Sequence, residues 1–87
     1  PMSAHAEDRR KLMDESVPLS SVPEGRDVRM VGLRGGRGFA MRLASMGLVP
    51  GVSLHVLKNR GQGPFVVGIR QMRIAIGRGM AHRIRVI

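Results

Sequence analysis

The chain contains no cysteine, tryptophan or tyrosine, and only two phenylalanines among its 87 residues. The missing thiols remove disulfides, thiolate catalysis and cysteine zinc sites together. The missing aromatics remove the exposed rings on which single-strand binders stack bases, worth about 1–3 kcal/mol each. They also remove the aromatic-lined groove of a proline-rich peptide receptor. Acids are scarce: six Asp and Glu stand against fifteen Lys and Arg, and only Asp27 follows Glu24. Paired carboxylates for acid–base catalysis are therefore absent from residues 25–87, and no enzyme is expected. No apolar run approaches the roughly 18 residues that cross a bilayer, and no apolar stretch follows a basic start as in a secretory signal. A cytoplasmic protein without direct membrane insertion is expected. Pro1 ahead of Met2 reads as the remnant of a cleaved tag.

What is present is positive charge, unevenly placed. Residues 1–24 hold three bases against five acids, a net −2, whereas residues 25–87 hold twelve bases against one acid, a net +11. Such a surface favours nucleic acid, anionic lipid headgroups or an acidic protein partner, and by itself says nothing about specificity. A chain of this length forms one domain and buries only about 60% of the surface its unfolded form exposes.

Residues 1–17 mix both signs of charge with few apolar side chains and read as a flexible N-terminal tail or one frayed helical turn. The texture changes at Pro18, where the domain 18–87 begins. PLSSVPEG reads as a turn entering a strand at Gly25. RDVRMVGL then places Val28 and Met30 opposite Arg29, Val31 and Leu33. VSLHVLK aligns Val52, Leu54 and Val56; FVVGIR aligns Phe65, Val67 and Ile69; MRIAIG aligns Ile74 and Ile76; RIRVI aligns Ile84 and Val86. NRGQGP reads as a hairpin loop and RGMAH as a tight turn. Five short strands with glycine at the joints predict an all-β fold, a small barrel filled by its own side chains. Arg29, Arg73, Arg83 and Arg85 fall on the outward positions, where charge discourages pairing with other chains. Self-association through an exposed strand edge stays open.

Between the first two of these strands lies the least charged segment, RLASMGLVPG. Phe39, Leu43 and Met46 recur at helical spacing, with Gly38 as the expected N-cap. Gly47 is expected just past the last turn, where the Gly47 N–H bonds the Ala44 carbonyl, the Leu48 N–H bonds the Leu43 carbonyl, and Leu48 packs on Leu43. Pro50 and Gly51 suit the central positions of a type II turn, glycine supplying the positive φ. The helix is expected to plug one end of the barrel. Its outer side would carry Met41, Met46 and Val49 as an adaptable apolar contact surface.

A strand ending in Gly-Gly, then RLASMGLVPG, a hairpin, RIAIG and a final IRV resemble the FeoA family of small bacterial ferrous-iron-transport proteins. The resemblance spans roughly Pro18 to Ile87, and Arg42, Leu43, Met46, Gly47, Leu48, Pro50 and Gly51 match the usual pattern. It implies an SH3-like barrel with one short helix between strands 1 and 2. It also implies an accessory role toward FeoB, a membrane iron transporter with a cytosolic GTP-binding part. The same module is similar to the C-terminal domain of iron-dependent repressors. Docking is expected through Met41, Arg42, Met46, Leu48 and Val49, with Arg34 and Arg37 nearby. Two departures stand out, the N-terminal segment and the abundance of arginine. The alternative is a basic nucleic-acid-binding barrel, for which only non-specific phosphate attraction is expected.

Other signals are weak. His5, His55 and His82 are scattered without ligand spacing, so no cofactor is expected. A divalent ion gathered by His5-Ala6-Glu7-Asp8 would be opportunistic. GGRG before the helix lacks the Gly-Lys-Ser/Thr ending of a nucleotide loop, and backbone freedom at a strand-to-helix joint accounts for its glycines.

Overall fold

The structure is a computed structural model that describes the backbone of residues 2–87 and the side chains of residues 8–87. The chain runs α1 (Met2–Glu15), β1 (Val17–Pro18), a 3₁₀ turn (Leu19–Ser21), β2 (Asp27–Leu33), α2 (Arg37–Ser45), β3 (Ser53–Lys58), β4 (Phe65–Ile69), β5 (Met72–Ile76), α3 (Arg78–Arg83) and β6 (Ile84–Val86). All pairings are antiparallel, in the order β1-β6-β2-β3-β4-β5.

The sheet departs from the expected five-stranded barrel in two ways. It has a sixth strand, and its ladder ends at β1 and β5 without closing. The extra strand is two residues long, with Val17 opposite Val86 and Pro18 opposite Arg85, too short to show alternation. Proline suits it because β1 is an edge.

Alternation decides the core elsewhere. Leu54 and Val56, Phe65, Val67 and Ile69, and Ile84 and Val86 are buried as their spacing requires. In β2 the alternation breaks. Met30 pairs with Val86 while Gly32 pairs with Arg85, so one extra residue is accommodated between them. This bulge shifts the parity, and Leu33, expected on the face opposite Met30, packs against the same core. Leu19 and Val22 of the turn region and Ala81 of α3 complete that core. RGMAH is therefore a helical turn capped at Gly77 rather than a tight reversal, and it buries Ala81.

Residues 2–15 are helical throughout, where a flexible tail or one frayed helical turn is expected from the sequence. Met2–Glu15 form a 14-residue helix, in keeping with the helix-favouring Ala, Glu, Arg, Lys, Leu and Met of this stretch. Its C-terminal end is tied to the sheet. Ser16 is buried; its Oγ donates to the Met13 carbonyl at 2.5 Å. Arg85 donates to the Ser16 Oγ at 2.9 Å and to its carbonyl at 2.7 Å. The Met13 thioether lies over Gly32, where a Cβ would meet its sulfur at 2.5 Å, so the glycine admits the helix to the sheet.

Candidate functional site

The segment that joins β2 to β3 is held at both ends. At its start, Gly36 is the N-cap, two residues earlier than expected, with extended φ −84° and ψ −177°. Gly35 lies where a Cβ would approach Phe39 Cδ2 to 2.8 Å and would strike the Arg83 guanidinium. That guanidinium stacks 3.9 Å from the Phe39 ring centre, and its Nε donates to the Arg34 carbonyl at 2.9 Å. The Arg34 N–H in turn donates to the Arg83 carbonyl at 2.7 Å.

At its end, the cap forms as the glycine predicts. The Gly47 N–H donates to Ala44 at 3.0 Å and the Leu48 N–H to Leu43 at 2.9 Å, with Gly47 at φ +85°. The Val52 N–H donates back to the Val49 carbonyl at 3.1 Å across Pro50-Gly51, and Gly51 takes φ +98°. This turn is bonded to the sheet, because the Gly51 N–H donates to the Met30 carbonyl at 2.7 Å and the Met30 N–H to Val52 at 2.9 Å. Backbone hydrogen bonds fix the segment along its exit, so its exposed side chains are presented from a set frame.

Burial divides the expected contact residues. Met41 is 66% exposed and Val49 42%, and Arg34, Arg37 and Arg42 are exposed. Met46 is half-buried against the core. Leu48 is fully buried and belongs with Leu43 to the core, which corrects its expected place on the contact surface: the same cap bond that ends the helix turns it inward.

A cleft of about 480 Å³ opens beside the exit turn, between it and the β4–β5 hairpin. Val49, Pro50, Val52, Ile69, Arg70 and Met72 line it. Met72 is 56% exposed. By spacing, Val52 and Ile69 belong to strand faces, and the one signal in the sequence for Arg70 and Met72 is a methionine directly after a hairpin tip.

Both phenylalanines are buried, Phe39 by α2 and Phe65 in the core, and neither offers a stacking face to bases. His55 and Asp27 are paired across β2 and β3 at 2.7 Å, while His82 meets the Ser20 hydroxyl at 3.3 Å. Among the described residues no three His, Cys, Asp or Glu side chains converge. The expected opportunistic ion site at His5-Ala6-Glu7-Asp8 lies largely outside the described side chains. A polar cluster elsewhere ties loops together. Asn59 donates to the Ser20 and Val22 carbonyls at 3.1 and 2.8 Å and accepts from Arg78 at 2.8 Å. The Asn59 N–H donates to Glu24 at 2.8 Å, which with the neighbouring Arg60 holds the Glu24 carboxyl below its usual range. No described helix is long and apolar enough to cross a membrane.

Known proteins bear out the resemblance. Residues 17–87 match the FeoA domain family. A curated protein of Methanocaldococcus jannaschii, named provisionally as Fe(2+) transport protein A, is 39% identical over 69 residues, covering 79% of this chain and 83% of its own length. The crystal structure of an iron uptake regulatory protein, FeoA, superposes with a TM-score of 0.75 at 38% identity, over 83% of this chain and 95% of that one. A manganese-dependent transcriptional repressor shares the fold at a TM-score of 0.75 and 21% identity, over 84% of this chain and 41% of its own.

Proposed function

The chain belongs to the FeoA family, and from that premise we propose that it is a cytoplasmic, non-enzymatic accessory protein of ferrous iron transport. In this reading it docks on the cytosolic part of a FeoB-type membrane transporter through residues 41–51, needs no cofactor, and uses Arg34, Arg37 and Arg42 as flanking charges. One observation carries the reading: Leu43 and Leu48 anchor the helix and turn from inside while Met41 and Val49 stand out on the other side. Exposed methionine is an adaptable apolar contact, and a frame fixed by backbone bonds limits the ordering cost of association.

Titration of the transporter's cytosolic part against the wild-type chain, Met41→Asp and Val49→Asp tests it. Both positions are exposed, so the variants are expected to keep the native Tm and to weaken binding at least tenfold. Unchanged affinity in both, with the fold retained, rejects the surface.

A further inference from the structure

The cleft beside the exit turn contains a residue whose backbone is at odds with its side chain. Ile69 pairs with Met72, so Arg70 and Gln71 form a two-residue hairpin loop. Arg70 has φ +57° and is the one non-glycine residue with positive φ among the described residues. A two-residue loop with positive φ at its first central position alone is the pattern that favours glycine there. A side chain at this position strains the backbone, and glycine is plentiful at the other joints of this chain.

Among the described residues the Arg70 guanidinium makes no hydrogen bond or ion pair that would offset the strain; those of the exposed Arg37, Arg42 and Arg73 are likewise unbonded, whereas Arg60, Arg78, Arg83 and Arg85 are each bonded to a named group. No acid lines the cleft. The one acid after Glu24, Asp27, is engaged by His55. The wall is otherwise aliphatic, with Val49 and Met72 exposed at its edge.

We propose that this cleft receives an acidic segment of the partner protein, its aliphatic side chains seated on Val49, Val52, Ile69 and Met72 and a carboxylate paired with Arg70. The inference rests on the docking role proposed above and extends its surface from α2 to the β4–β5 hairpin. A net +11 over residues 25–87 selects an acidic occupant, and in a second copy of this chain only residues 1–24, at a net −2, carry that sign. Arg supplies a planar fork for a carboxylate, which Lys cannot reproduce.

The test uses the full chain and a synthetic peptide with leucines at helical spacing flanked by glutamates, followed by backbone amide shifts, with a lysine-for-glutamate peptide as control. The acidic peptide is expected to shift Val49, Arg70 and Met72 amides. Arg70→Gly is expected to keep or raise Tm and to weaken binding at least tenfold. Lys58→Gln, at the far end of the β3–β4 ladder, is expected to leave it unchanged. Equal binding of the lysine peptide, shifts confined elsewhere, or unaltered affinity in Arg70→Gly overturns the proposal. Sedimentation showing a wild-type dimer that Met72→Glu dissociates overturns the choice of occupant. Titration of the transporter's cytosolic part separates the two readings. If it binds and responds to Met41→Asp but not to Arg70→Gly, the cleft proposal alone fails. If it does not bind while the acidic peptide does, the transporter reading alone fails.

Discussion

The Arg83 guanidinium lies 3.9 Å from the centre of the Phe39 ring, joining the last turn of α3 to the first turns of α2. The contact orders the start of the candidate site, because the same side chain bonds the Arg34 carbonyl and closes over Gly35.

Arg83→Ala removes the cation over the ring and the donor to Arg34. A partly exposed cation–π contact contributes about 0.5–1 kcal/mol, and a loss of that order or somewhat more is expected. Urea unfolding measures it. Gly35→Ala is expected to cost at least as much, since its methyl would displace the same stack; a neutral result would show that Arg83 moves aside freely.

Gly47 and Gly36 make a controlled pair. Gly47 has φ +85° and Gly36 has φ −84°, and an added Cβ meets nothing at either. Gly47→Ala is expected to destabilise by roughly 1–2 kcal/mol through backbone strain alone. Gly36→Ala is expected to cost less, as alanine adopts that backbone freely and no side chain there bonds the helix start. Equal losses in thermal denaturation would refute the assignment.

Leu48 and Met41 belong to one segment with opposite fates. Leu48→Ala opens a cavity in the core and is expected to cost about 2–5 kcal/mol, a large share of a small domain's stability. Met41→Ala, at 66% exposure, is expected to change stability by less than about 0.5 kcal/mol. Chemical denaturation of both variants distinguishes the buried anchor from the exposed contact.

Glu24 gives a pH dependence. The Asn59 N–H, and then Arg60, favour its ionised form, so its pKa in the folded chain is below the ordinary value of 4.5. The folded state therefore binds fewer protons than the unfolded state, and this stabilisation is complete above that value and is lost as pH falls through the folded pKa. Glu24→Gln is expected to flatten the acid limb of Tm against pH below about 4.5, and to leave the slope near pH 7 unaltered. An identical acid limb in the variant would exclude Glu24 as its source.

Much of the candidate site was legible because its determinants are local. Phe39 and Leu43 lie at helical spacing, Gly47 can take a positive φ, and Pro50-Gly51 specifies its own turn. The part that escaped is Arg70 and Met72, since nothing in their neighbourhood in sequence says that the β4–β5 hairpin comes to rest beside the Val49 turn.

By itself the sequence determined the order and face of the main strands, the capped helix between β2 and β3, and the family to which the chain belongs. These follow from side-chain alternation and from backbone sterics that act over a few residues. Only the tertiary structure decided that the sheet stays open at β1 and β5, that the bulge at Met30–Gly32 brings Leu33 inward, and that residues 2–15 form a helix tied down through Ser16. Those outcomes depend on register and packing between segments distant in the chain, where a shift of one residue reverses every face.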